Sequence, residues 1–313
     1  MTVTAADPIP TEHARELVRG AFDTHVHIDP DVIPRRVDDV TLAGLFAERG
    51  LAGFLLKSHY VSTAERARVV TGVAPGGVQV LGAIALNASV GGLSPLAVEI
   101  AGREGARTVW LPTVDAANET AGRVDHPPGA KLPAWAQMQQ DLRKRGMDAP
   151  PVEVVDADGR VLHALQQVLE VVADYGMQLA TGHLSRDEIF AVVDAAVERG
   201  VRNVVVTHPD FPSQSLSIDD QLELVRKGAV MERCFVTFHT EKAPWERMFE
   251  AIRATGAEHN VLSTDLGQRV NPPVEDGLAL MADRMLDAGF SEDDVRTVAV
   301  TNTRRLAGIE VAA

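Results

Sequence analysis

Eight short β-rich runs alternate with helical patterns along the whole chain, and this alternation limits the fold more than any other feature. The first four runs end near His27 ("AFDTHVH"), Ser58 ("AGFLLKS"), Ala85 ("VQVLGAIA") and Leu111 ("RTVWL"). The other four end near Gly182 ("MQLATG"), Thr207 ("VRNVVVT"), Val236 ("AVMERCFV") and Thr264 ("HNVLST"). Start signals mark the helices between them. "STAE" (Ser62 to Glu65) and "SRDE" (Ser185 to Glu188) match the capping box, and Ser94-Pro95 sets an N-cap before a helix-starting proline. Gly50 and Gly200 close helices just before the next strand. Strands alternating with helices predict parallel pairing, and eight such units predict an α/β fold of the (β/α)8 TIM type. An open doubly wound sheet is the alternative, which eight units disfavour. The longest gap, between Leu111 and Gly182, predicts an insertion after strand four at about residues 115–160, with "DHPPGAKLP" as loop and "PVEVVDADGRV" as hairpin. No repeat or linker composition divides the chain, so residues 1–313 read as one domain.

In such a barrel the strand C-termini surround one mouth, where chemistry is found. Five of the ten histidines fall at or just after these ends: His25, His27, His59, His183 and His208. Asp265 follows the eighth run. His25 and His27 are two apart, so on a strand both imidazoles aim at one face. Imidazoles with a carboxylate suit zinc and related first-row metals, and such a metal lowers the pKa of its water toward ~7. A lone histidine after a strand is more often a turn or core residue; it is the set that predicts metal binding. His126 and His239 read as solvated loop residues.

Composition excludes some partners. A net charge of −14 and a pI of about 5.1 disfavour nucleic acid and anionic membranes. No apolar run reaches the ~18 residues of a membrane span, and "MTVTAADPIP" does not read as a signal peptide. Cys234, the single cysteine, excludes an internal disulfide and fits a reducing cytoplasm. The partner expected is a small-molecule substrate, with homo-oligomerisation open.

The set of His25, His27, His183, His208 and Asp265 resembles the amidohydrolase superfamily, in which HxH on strand one, histidines on strands five and six and an aspartate on strand eight bind metal. "VTNTRRLAGI" resembles the helix that ends many members. "FDTHVHIDPDVIPRRVDD", "GFLLKSHY" and "TGHLS" resemble a group of uncharacterised metal-dependent hydrolases within it. The resemblance covers about residues 20–310 and implies one or two divalent ions, zinc first among the candidates. It implies Asp265 as both ligand and catalytic base.

Two-metal members usually bridge their ions with a carboxylated lysine or a glutamate on strand four, and "RTVWLPT" offers neither. Lys57 after strand two is the candidate carbamate ligand; as an ordinary ammonium it could only donate, and would then hold an anionic substrate group. Glu153 and Glu232 are weaker substitutes. His59 shares the face of Lys57 if the strand continues, as a further ligand or a substrate contact. Arg35 and Arg36 could grip an anion with their planar forks, or be ion-paired at the surface with Asp38 and Asp39.

The leading function is hydrolysis of an amide, cyclic amide, ester or lactone. A phosphoesterase or a decarboxylase on the same barrel is the enzymatic alternative, and an inactive ligand- or metal-binding barrel the non-enzymatic one.

Overall fold

The computed structural model describes residues 7–121, 134–147 and 150–309. Its strands are β1 (Phe22–Val26), β2 (Gly53–Leu56), β3 (Gln79–Ala85), β4 (Ala106–Trp110), β5 (Gln178–Ala180), β6 (Asn203–Val206), β7 (Val230–Cys234) and β8 (Asn260–Ser263). They follow one another in a single sheet in chain order. The pairs are parallel, in registers such as Phe22 with Gly53, Thr108 with Gln178 and Met231 with Asn260. Just past β8, Leu266 bridges back to Val26 of β1. This is the predicted (β/α)8 topology.

The chain divides into two compact units. The first holds Met1–Lys57, Arg66–Gly82 and Met231–Ala313. Its strands β1, β7 and β8 are buried at every position, as expected where helices cover a parallel sheet. The helix Val274–Asp287 buries Val274, Leu278, Met281, Ala282 and Met285, a stripe at helical spacing. These side chains share one core with Leu42, Phe46 and Phe54. Phe46 meets Phe54 edge-on at 4.9 Å, and burying each such ring contributes about 1.5–3 kcal/mol. Gly50 ends the helix Asp39–Glu48 in the left-handed region (φ 68°), as its position predicts.

The second unit holds Ser58–Glu65 and Ala83–Val230. There β5 pairs with β4 on one side and β6 on the other. The helix His163–Asp174 buries Leu165, Val168, Leu169 and Val172. Two start signals hold. Glu188 accepts from the Ser185 backbone at 2.8 Å, and Ser94 accepts from Ala97 N before a helix that opens with Pro95. The Ser62 signal does not. Its Oγ accepts from Ala64 N, two residues on rather than three, and the helix begins only at Ala64. Thr63 is drawn away by Ala83, whose N–H donates to the Thr63 hydroxyl at 2.8 Å.

Within the expected insertion, Val155 bridges Val161 in antiparallel fashion, with Asp156 accepting from the N–H groups of Asp158 and Arg160. The predicted hairpin is there. Two helices, Ala117–Ala121 and Ala134–Lys144, were not anticipated from the sequence. The "DHPPGAKLP" loop and His126 lie outside the described residues.

Candidate metal centre

In the first unit, His25 on β1 and His27, directly after its end, meet one aspartate. His25 Nε2 lies 3.2 Å and His27 Nε2 3.1 Å from Asp265 Oδ1. Their rings are 5.3 Å apart, and the three donor atoms fall within 4.8 Å of one another. Both histidines are buried, while Asp265 keeps 18% of its side chain exposed. Two imidazoles and a carboxylate at that spacing form a donor set that fits zinc.

The other edge of His25 is held by β7. Nδ1 lies 3.2 Å from Glu232 Oε1, which also accepts from the Ser263 hydroxyl at 3.0 Å. A carboxylate can only accept, so it holds the His25 proton on Nδ1 and leaves the Nε2 lone pair toward Asp265 and His27. Lys57 Nζ, 2.9 Å from that same Nε2, is itself a donor and agrees with this tautomer. Burial lowers the Lys57 pKa, against the opposing charges of Asp265 and Glu232. Glu232 thus stands behind His25, and with His25 and Cys234 it forms a second group whose donor atoms lie within 4.8 Å of one another. Cys234 Sγ, 3.8 Å from His25 Nδ1, packs on that side too, and burial pushes its thiol up.

Asp23 completes the strand connection. Its carboxylate accepts from the backbone N–H groups of His25 and Thr264 and from the Thr264 hydroxyl at 2.6 Å. Burial nonetheless raises its pKa to about 7. Asp265 itself sits in the left-handed region at φ 51°, a conformation that costs a non-glycine residue of order 1–3 kcal/mol. Its N–H, donated to His25 O at 2.8 Å, helps to hold it there. Two residues on, Gly267 has φ 128°, and a Cβ there would lie 1.4 Å from the His27 carbonyl oxygen. Only glycine lets the chain pass the HxH strand so closely.

The second unit gathers its own histidines. His183 and His208 lie 4.9 Å apart, ring to ring, and His59 lies 6.2 Å from His183. His183 Nδ1 is 3.2 Å from Glu119 Oε1, within ion-pair distance though poorly aligned for a hydrogen bond. His208 Nδ1 is 3.2 Å from Gln214 Oε1. An acceptor thus faces Nδ1 of each ring and directs the Nε2 lone pair the other way. Burial works to raise the Glu119 pKa, but the adjacent His183, the Ser213 hydroxyl that donates to it and the charge of His208 bring it down to about 2. Asn118, the neighbour of Glu119, donates to the carbonyls of His183 and Ser213. His208 is left-handed at φ 29°, so each unit holds one strained candidate residue.

The remaining candidates are placed as follows. β2 stops at Leu56, so strand alternation does not carry through Lys57 to His59. Lys57 approaches His25, whereas His59 turns to Thr113, 2.8 Å from its Nδ1. Arg35 is buried against Asp31 at 2.6 Å, and Arg36 pairs with Asp7 and the Asn271 carbonyl. The expected partners are otherwise engaged: Asp38 caps a helix and Asp39 pairs with Arg66. Glu153 is exposed. His239 ends the short helix Phe235–His239 and stacks on Phe235 at 4.9 Å, so it is not a loop residue.

Two residues escape a sequence reading based on strand ends. Glu119 and Thr113 follow strand four at spacings no motif marks. Glu232 had a usable signal, a Glu-Arg pair inside a strand that is otherwise apolar.

The (β/α)8 fold is shared with several solved structures. The probable dipeptidase PvdM from Pseudomonas aeruginosa has the same fold, at 13% identity and a TM-score of 0.59 over 95% of this chain and 97% of that one. An amidohydrolase from Pseudomonas aeruginosa matches at 10% identity and a TM-score of 0.55, covering 94% and 99%. Organophosphorus hydrolase from Deinococcus radiodurans matches at 14% and 0.56, covering 96% and 99%. At these identities the likeness is one of fold. No curated protein matches the sequence. The chain belongs to the Family of unknown function (DUF6282), whose model matches residues 20–232. Among the described residues, no helix is long and apolar enough to cross a membrane.

Proposed function

We propose that this protein is a metal-dependent hydrolase that cleaves an amide, cyclic amide, ester or lactone. The observation that carries this reading is the convergence of His25 Nε2, His27 Nε2 and Asp265 Oδ1 within 4.8 Å. These three residues would hold a divalent ion, zinc by the chemistry of the donors. Such an ion supplies Lewis acidity and makes hydroxide available near neutral pH.

The chain's own residues do the rest. Asp265 accepts the proton of the attacking water as the new C–O bond forms, then returns it to the leaving nitrogen or oxygen as the old bond breaks. Its partial exposure lets water reach it. Glu232 keeps the His25 proton on Nδ1 throughout. Lys57, as a neutral amine, would add carbon dioxide and release a proton to give a carbamate that would serve as a further ligand; burial, which disfavours its ammonium, supports that chemistry. In the second unit, His183 and His208 offer another pair of Nε2 lone pairs for an ion, supported by the acceptors that face their Nδ1 atoms. Three fold neighbours named as dipeptidase, amidohydrolase and organophosphorus hydrolase agree with hydrolysis as the reaction type.

The test measures metal content beside turnover on a panel of esters, lactones and amides. Asp265→Asn keeps an oxygen ligand but loses the base, so most metal is retained and kcat falls roughly 10²–10⁴-fold. Near-normal turnover at full metal content contradicts the mechanism. In the same preparations, ¹³C-labelled carbon dioxide gives a carbamate signal that Lys57→Met lacks. A metal-loaded protein without that signal removes Lys57 from the ligand set.

A further inference from the structure

In the second unit, the proton of His59 is set the opposite way from that of His25. Asn87 fixes it. Asn87 Oδ1 accepts from the backbone N–H groups of Thr113 at 2.9 Å and Asp115 at 3.2 Å. That orients the amide without ambiguity, because only oxygen can accept. Its Nδ2 then donates to the His59 carbonyl at 2.8 Å and to Thr113 Oγ1 at 2.7 Å. Thr113 is fully buried. With its oxygen already accepting from Asn87, its one hydroxyl proton goes to His59 Nδ1, 2.8 Å away. The reverse arrangement, His59 Nδ1–H donating to Thr113, would strand that buried hydroxyl proton without an acceptor.

We propose that His59 carries its proton on Nε2 and donates it to an oxygen of the substrate, rather than ligating metal. A ligating nitrogen must offer a lone pair, and here the lone pair is turned inward to Thr113. His25, by contrast, faces the Glu232 carboxylate at Nδ1, so its Nε2 is the metal-facing atom. His59, 6.2 Å from His183, is the donor in that neighbourhood. It is suited to the carbonyl oxygen of an amide, ester or lactone and to the carboxylate left after cleavage. The substrate half of this assignment rests on the hydrolase reading above; the tautomer half does not. Thr113 and Asn87 are positioning residues.

The experiment is a long-range ¹H–¹⁵N correlation spectrum of the full-length protein labelled at histidine, with His59→Gln identifying the His59 signals. The expected pattern is a pyridine-type Nδ1 and a pyrrole-type Nε2. Thr113→Val should abolish that pattern, and Thr113→Ser, which keeps the hydroxyl, should preserve it. Acetate, the simplest carboxylate product, should shift the Nε2–H resonance. Zinc content should be the same in His59→Gln as in the wild type. A pyrrole-type Nδ1, a zinc equivalent lost in His59→Gln, or a resonance unmoved up to molar acetate overturns the assignment. A wild type that binds no zinc defeats the hydrolase reading instead, and the nitrogen shifts still decide the tautomer.

Discussion

The two histidine groups solve one problem with different materials. In the first unit His25 lies on β1 and His27 directly follows it, and their supports are Glu232 on β7 and Asp265 just past β8. In the second, His59, His183 and His208 each follow a different strand, and Glu119, Thr113 and Gln214 in the following segments hold them. A group built on strands inherits its geometry from the sheet. A group built on loops has to be tied together, here by Asn118, Ser213 and Asn87. The difference teaches where each is vulnerable: the first to backbone crowding, the second to loss of side-chain hydrogen bonds.

The largest effect should come from crowding the first group. Gly267→Ala forces a Cβ against the His27 carbonyl at φ 128°. The strained backbone alone costs of order 1–3 kcal/mol, and the clash adds to it. Thermal unfolding should show a protein destabilised by at least that much or unable to fold. A variant as stable as wild type would mean that strand geometry does not govern this group.

A smaller, pH-dependent effect should separate the second group. The folded-state pKa of Glu119 is depressed, from 4.5 to about 2. Its stabilising contribution is therefore present above pH 4.5 and lost as pH falls toward 2. The shift corresponds to something on the order of 3 kcal/mol. Unfolding free energies of chelator-treated wild type should fall more steeply below pH 4.5 than those of Glu119→Gln. Parallel curves would show that the loop group does not depend on this carboxylate.

The smallest effect concerns the support behind His25. Glu232→Gln keeps the shape and removes the charge, and a change of this kind typically weakens metal binding by about 10–100-fold. Zinc competition with a chromophoric chelator measures it. Unchanged affinity would leave Glu232 as packing alone.

The same contrast explains what the sequence could disclose. His25 and His27 were legible because β1 runs to Val26 and His27 follows at once, so the two-residue alternation carries across the pair. Asp265 was legible because a barrel brings its last strand beside its first. Lys57 was placed beside the pair, but the continuation to His59 was not, because β2 ends at Leu56, before either residue. Glu119 could not be read at all. It lies in a five-residue helix within a segment expected to be irregular, and what brings it to His183 is tertiary structure. The left-handed backbone of His208 and Asp265 was equally hidden, since neither residue type demands it.

The central claim is that the β1 histidines hold a divalent ion with Asp265. Elemental analysis of zinc-loaded wild type beside the His25→Ala/His27→Ala double variant tests it most directly, with circular dichroism confirming that the variant is folded. The account predicts bound zinc in the wild type and the loss of at least one equivalent in the folded double variant. A folded double variant that retains the full zinc content of the wild type would contradict it.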